Sequence, residues 1–240
     1  MTLQDIYAKL DALSPFELQE KWDNSGLIAG DPMQEITTAV LSIDVDEPLL
    51  ESLDEGTLLI THHPLIFGGL DALDYTQYPA KLLRTMVRKN IANIAMHTNF
   101  DQTHLNRWVA SEILGAQNPV TEGFVTYYDT DVAFERFALD VQERFSLPHL
   151  KAVRCHERIR RVALVTGSGA SLMREIDADC LLTGDVKYHD AMAAKTIGLS
   201  MIDIGHFESE RFFPDVLAPH LKNFGLTVII SSSKNPFIYL

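Results

Sequence analysis

Apolar positions recur along the chain with two different periods. Residues 3–13 have the spacing of one apolar helical face, formed by Leu3, Ile6, Tyr7, Leu10 and Leu13. Short unbroken apolar runs such as "TLLI" (57–60) are typical of strands that are buried on both faces. The predicted helices are 3–13, 46–55, 79–89, 102–114, 132–145, 186–197 and 208–222. The predicted strands are 37–44, 57–60, 91–96, 161–166, 180–182, 199–204 and 226–230.

Strands that alternate with helices indicate an α/β fold with largely parallel sheets covered by helices on both faces. The weakest stretch for regular structure is 115–131, so we place the junction between two α/β halves there. The predicted halves are residues 1–120 and 121–240, with an approximate boundary.

An internal echo supports two related halves. Two segments of the chain have the same order of elements, a strand, a helix and a second strand. The first segment contains "LLITHHP" and "IANIAMHTNFD", and the second contains "CLLTGDV" and "LSMIDIGHFESE". Aligning the later strands places His97 opposite His206 and Asp101 opposite Glu210, because both segments contain His-x-x-x-acid. The echo predicts that the halves face each other. Chance similarity between two generic strand-helix-strand units stays an alternative.

Composition and charge exclude several classes of protein. The 240 residues are 46% hydrophobic, with a net charge of −13 that argues against general nucleic-acid binding. The basic "RCHERIRR" (154–161) is better explained as a solvated face than as a local binding patch. No apolar run is long enough for a membrane helix, and the first residues lack the pattern of a secretory signal. Two cysteines make no disulfide framework, so we expect a soluble cytoplasmic protein with reduced thiols.

Candidate metal ligands follow the predicted strands. In open α/β sheets, ligands collect beyond the carboxyl ends of the strands. Six side chains fall at or just after such ends: His62, His63, His97, Asp101, His206 and Glu210. Imidazole with carboxylate suits divalent Zn, Fe, Mn, Co or Ni. The set therefore predicts a metal site.

The spacing also suggests two ions. On extended backbone His62 and His63 point to opposite sides, so each would bind one ion of a pair. Paired ions are a standard device for activating water in hydrolysis. Each residue alone has a plainer explanation: a histidine can be a satisfied strand-end residue, Asp101 an N-cap, and Glu210 a first-turn acid. These explanations account poorly for the adjacent histidines and for the repeated His-x-x-x-acid.

Three other motifs leave more alternatives open. "TGDVKYHDA" (183–191) could line a pocket with Asp185 and Lys187 and use His189 as a proton carrier, or it could only start a helix. "TGSGAS" (166–171) fits a tight turn better than a phosphate loop. "KWDNSGL" (21–27) is a polar turn to which sequence physics assigns no role.

Six motifs together resemble the NGG-interacting-factor-three-like family. They are "WDNSGL", "THHPLIF", "HTNFD", "TGDVKYHDA", "GHFESE" and "NPF", and they run from residue 22 to residue 237. Bacterial members are often labelled type 2 homologues of GTP cyclohydrolase one. No motif position departs from the family pattern.

The resemblance implies a dinuclear metal site between the two halves. Its ligands would be His62, His63, Asp101, His206 and Glu210, with Glu210 bridging and His97 close by. Family members resemble one another in forming toroidal hexamers whose metal sites face an internal cavity. The resemblance thus implies a homohexamer.

The predicted function is metal-dependent hydrolysis of a nucleotide, most concretely opening of the GTP imidazole ring. His97 or His189 would carry protons. The rival hypothesis is a metal-binding chaperone or regulatory protein without turnover. Both hypotheses need the same ligands, so the sequence does not separate them.

Overall fold

The computed structural model describes residues 1–238 and divides into two compact units. Unit 1 comprises residues 1–100 and 213–234, and unit 2 comprises residues 101–212 together with the segment that begins at Asn235. Each unit contains one sheet. The predicted α/β class is confirmed.

The unit 1 sheet has five strands in the order β1-β4-β3-β2-β11. They are β1 (Gly26–Ala29), β2 (Thr38–Ser42), β3 (Leu58–Thr61), β4 (Ala92–Ala95) and β11 (Thr227–Ile230). All neighbours pair in parallel except β1, which runs antiparallel to β4. Thr61 pairs with Ser42 on one side and Ala95 on the other, so three strands end level. The residues that follow them emerge at one edge of the sheet.

Helices cover this sheet. They are α1 (Leu3–Leu13), α2 (Glu47–Ser52), α3 (Ala80–Arg88), the short α4 (Thr98–Phe100) and α9 (Phe213–Leu221). The helix α1 starts in a capping box between Thr2 and Asp5, which satisfies otherwise unpaired N–H groups of its first turn. Of its predicted apolar stripe, Leu3, Ile6 and Leu10 are completely buried, whereas Tyr7 and Leu13 are partly buried.

The unit 2 sheet is mixed, in the order β5-β6-β8-β9-β10-β7. Its strands are β5 (Val120–Glu122), β6 (Val125–Ala133), β7 (Lys151–Val153), β8 (Arg158–Leu164), β9 (Cys180–Thr183) and β10 (Ser200–Asp203). Only β8, β9 and β10 are parallel neighbours. Its helices are α5 (Asn106–Trp108), flanked by π-helical turns at Asp101–Leu105 and Val109–Ile113, then α6 (Phe134–Phe145), α7 (Tyr188–Ile197) and α8 (His206–Glu210).

Regular structure at 115–131 is the main departure from the predicted elements. This stretch forms β5 and the start of β6, an antiparallel pair that turns at Gly123 with φ +59°. The middle of β6 consists of threonine, tyrosine and aspartate, so no apolar run marks it. The strands β1 and β7 also have no predicted counterpart, because both are short antiparallel edge strands. The predicted helix 208–222 is two helices, α8 and α9.

The compact units also differ from halves cut once near residue 120. After unit 2, the chain returns to unit 1 as α9 and β11, and β11 pairs in parallel with β2. Among the described residues, no helix is both long and apolar enough to cross a membrane.

Candidate metal centre

Three imidazoles converge at the edge of the unit 1 sheet. His62 and His63 follow β3 directly, and His97 comes two residues after β4. Their ligand atoms all lie within 4.8 Å of one another. His62 is 0% exposed and packs on Phe213 with ring centroids 5.0 Å apart. We call His62, His63 and His97 the histidine cluster.

The prediction that His62 and His63 point to opposite sides is wrong. The strand β3 ends at Thr61, and the next two residues form a bend rather than extended backbone. The two rings therefore lie side by side, with centroids 5.1 Å apart and planes at 42°. Alternation along a strand no longer argues for two ions, and the ion count stays a prediction.

Each ring of the cluster is oriented through its Nδ1 atom. His62 Nδ1 donates to the Met96 carbonyl oxygen at 2.9 Å, and His63 Nδ1 donates to Asp44 Oδ1 at 2.7 Å. His97 Nδ1 donates to Asp23 Oδ1 at 2.8 Å. Such acceptors fix the tautomer and make Nε2 the nitrogen for a metal, as is usual for metal-binding histidines.

Asp23 organises the loop around His97. Its buried carboxylate accepts hydrogen bonds from His97 Nδ1, Asn24 N, Ser25 Oγ, Thr98 N and Thr98 Oγ1. Burial by itself raises the pKa of Asp23, but the bonds and charge of His97, together with the Thr98 and Asn24 donors, hold that pKa well below its usual range. The "WDNSGL" turn therefore supplies the carboxylate that orients His97.

Unit 2 contributes a second pair of ligand types. His206 and Glu210 stand one turn apart on α8, with His206 Nε2 and Glu210 Oε2 3.0 Å apart. His206 Nδ1 donates to Asp185 Oδ2 at 2.7 Å, which repeats the arrangement in the histidine cluster. Asp185 has φ +55°, a left-handed conformation that aspartate tolerates better than most residues. The sequence left open whether Asp185 lines a pocket or only starts a helix. In the structure its carboxylate is the hydrogen-bond partner of His206.

Two glycine-containing turns make room for this pair. A Cβ atom on Gly167 would lie 2.1 Å from Glu210 Oε1, and one on Gly184 would lie 2.6 Å from the backbone nitrogen of His206. The N–H of Gly167 donates to Ser209 Oγ, and that of Gly169 donates to Thr183 Oγ1. These amides serve the fold, so "TGSGAS" is the tight turn that the sequence favours. It leads into a three-residue 3-10 turn, not a full helix.

Two other predicted site residues have contacts of a different kind. Asp101 is buried in the π-helical turn of unit 2 and accepts a hydrogen bond from Thr166 Oγ1 at 3.3 Å. His189 is exposed in the first turn of α7, beside the ring of Tyr188. Metal ligation by Asp101 and proton transfer by His189 stay predictions.

Nearly the whole chain matches the model of one protein family. The family described as Duf34/NIF3 (NGG1p interacting factor 3) matches residues 1–236. The chain belongs to the DUF34/NIF3 family. This confirms the resemblance carried by the six motifs.

Relatives of this DUF34/NIF3 chain are similar over their full length. It is 47% identical over 240 residues to "GTP cyclohydrolase 1 type 2 homolog" of Campylobacter jejuni, covering 100% of both chains. It is 39% identical over 236 residues to "GTP cyclohydrolase 1 type 2" of Helicobacter pylori, covering 98% of this chain and 97% of that protein.

Solved structures show the same fold. Staphylococcus aureus protein SA1388 superposes with a TM-score of 0.89 at 24% identity, covering 100% of this chain and 99% of that one. A Bacillus cereus protein related to NIF3 gives a TM-score of 0.84 at 18% identity, with the same coverage. The mixed α/β fold with two sheets is thus that of NIF3 proteins.

The donor set of this DUF34/NIF3 chain fits divalent metal. Imidazole nitrogens and a carboxylate suit Zn and its transition-metal neighbours. Four histidines also have the outer hydrogen-bond acceptors that metal-binding histidines usually need. Sequence reasoning missed Asp23 and Asp44 as partners. Asp44 carried a usable signal, because it follows β2, the strand that neighbours β3.

Gly167→Ala is expected to displace Glu210 and to weaken metal binding by His206 and Glu210 by at least about 10-fold, a loss typical of a disturbed ligand shell. The added Cβ overlaps Glu210 Oε1, and φ +63° disfavours any side chain. Gly123→Ala is the matched control, since it has φ +59° and nothing within 4 Å of its Cβ. Metal titration of both variants checks this. Equal losses would mean that backbone strain alone is responsible.

Proposed function

We propose that this chain is a divalent-metal-dependent hydrolase that opens the imidazole ring of GTP and releases C8 as formate. The observation that carries the proposal is the set of four histidines, each oriented at Nδ1 by a carbonyl or carboxylate oxygen. Metal-binding histidines almost always have such an acceptor, which fixes the tautomer and the orientation of the ring. The names of the Campylobacter and Helicobacter relatives support GTP as the substrate.

We assign one ion to the histidine cluster and one to His206 and Glu210. Bound divalent ions would supply an activated water and polarise substrate oxygen atoms. Asp23 holds the His97 ring in place through Nδ1, and His97 is a proposed proton carrier. His189, exposed on α7, is the other proposed proton carrier. Metal ligation by Asp101 and assembly into a toroidal hexamer also stay part of the proposal.

GTP turnover tests the proposal directly. Protein stripped with a chelator is loaded separately with Zn, Fe, Mn, Co or Ni and assayed for saturable GTP loss and for formate. We expect formate in step with GTP loss for at least one metal and none for the stripped protein. Stable metal complexes without formate under any loading would contradict hydrolysis.

One observation favours a second function, metal delivery to a client protein. The side chains of His206 and Asp185 are 35% and 52% exposed, so this part of the ligand set is open to exchange. A chaperone would pass its ion to a competing apo-protein faster than the ion leaves into buffer. A transfer rate equal to the spontaneous release rate would remove this alternative.

A further inference from the structure

Two exposed aromatic rings stand beside the histidine cluster. Trp22 is 57% exposed and Phe67 is 58% exposed, although large aromatic side chains are mostly buried in folded proteins. Their ring centroids lie 5.7 Å apart with planes at 42°. We call Trp22 and Phe67 the aromatic pair.

The aromatic pair is directed at the cluster. The centroids of both rings lie 6.0 Å from that of His97, at interplanar angles of 76° and 73°. The His97 ring in turn lies 5.2 Å from His62 and 5.4 Å from His63. A planar group resting on the pair would therefore lie next to the candidate ligand atoms.

The backbone that carries the pair is held by hydrogen bonds. Trp22 immediately precedes Asp23, whose carboxylate accepts from five donors. Phe67 follows Ile66, whose carbonyl oxygen accepts from Asn24 Nδ2 at 2.7 Å. The same turn thus positions His97, Trp22 and the strand-end loop. Preorganised rings lose little conformational freedom when a ligand stacks on them.

We infer that Trp22 and Phe67 form a stacking platform for the planar heteroaromatic ring of the substrate, holding it beside the histidine cluster. This inference rests on the proposed function and specifies how the ring is recognised. Every nucleobase offers a π-face, and stacking on an aromatic side chain is a major source of affinity for bases. The chief rival occupant of the exposed rings is a second copy of this chain, and the test includes that outcome.

Equilibrium binding tests the platform without requiring turnover. The first probe is 7-deaza-GTP, in which carbon replaces N7, so that C8 is no longer the amidine carbon that hydrolysis attacks. The second probe is inorganic triphosphate, which has no base. Both are titrated calorimetrically into metal-loaded full-length protein. Trp22→Leu and Phe67→Leu are each expected to lower the affinity for 7-deaza-GTP by about 5- to 150-fold and to leave the affinity for triphosphate unchanged. The control is Tyr75→Leu, an exposed aromatic of unit 1 whose ring faces Arg84.

The outcomes separate the platform from the proposed hydrolysis. Weakened 7-deaza-GTP binding without any GTP turnover keeps the platform and removes the hydrolase. Turnover with an unchanged KM for GTP in both leucine variants keeps the hydrolase and removes the platform. Equal weakening of both probes, or a change of sedimentation coefficient with no change in base affinity, would overturn the platform. The second of these results would assign the aromatic pair to a subunit contact.

Discussion

Glu210→Gln is expected to abolish binding of the ion assigned to His206 and Glu210 under conditions that saturate the native protein. Glu210 is 2% exposed, and its Oε2 lies 3.0 Å from His206 Nε2. Glutamine keeps the volume and removes the charge, so the fold persists while the ligand set loses its anion. Loss of an outer partner already costs about 10- to 100-fold in metal affinity, and replacement of a ligand is expected to exceed that range.

Glu208→Gln provides the matched control for this variant. It makes the same chemical change two residues away on α8, where the Glu208 carboxylate accepts from Asn235 Nδ2 at 2.7 Å. Elemental analysis after loading and dialysis should show one ion fewer per chain for Glu210→Gln and no change for Glu208→Gln. Equal metal content in the two variants would exclude Glu210 as a ligand.

Asp23→Asn is expected to destabilise unit 1 and to change how its stability depends on pH. Both carboxylate oxygens of Asp23 accept hydrogen bonds, five in all, whereas the amide of asparagine has one accepting oxygen and one donating NH₂ group. The NH₂ group would replace one accepting oxygen and face hydrogen-bond donors. We expect this to lower the free energy of unfolding by about 1–3 kcal/mol at neutral pH. His97 would also lose its charged partner.

The pH dependence follows from the lowered pKa of Asp23. Folded protein binds this proton less tightly than unfolded protein, so the carboxylate stabilises the fold above the unfolded value of about 3.9. That contribution is lost as pH falls below about 4 towards the folded pKa. Urea unfolding between about pH 2 and 7, with chelator present, should show a difference between native and variant protein that shrinks on acidification. Parallel curves would mean that Asp23 is protonated alike in both states.

Strand ends were the most predictable part of the site. Apolar runs located β3, β4 and β10, and parallel pairing brings the residues after adjacent ends to one edge of each sheet. His62, His63 and His97 could therefore be grouped from the sequence alone. The same reasoning failed for the direction of His62 and His63, because strand alternation ends where β3 ends.

The partners of the histidines were beyond the reach of sequence spacing. Asp23 lies 74 positions before His97, and Asp44 lies 19 before His63. Such contacts depend on how loops fold back over a sheet edge, and no local periodicity encodes them. The "WDNSGL" turn could be read only as polar for this reason, although it contains the best-connected carboxylate of the described site.

The position of β11 has a consequence for synthesis on the ribosome. Its register on β2 joins Thr227 to Thr38, so the first sheet stays incomplete until almost two hundred further residues have been added. Residues 101–212 of unit 2, by contrast, are contiguous and emerge before β11 does. During vectorial synthesis the second sheet can therefore be completed before the first, while the edge of β2 that pairs with β11 stays unpaired.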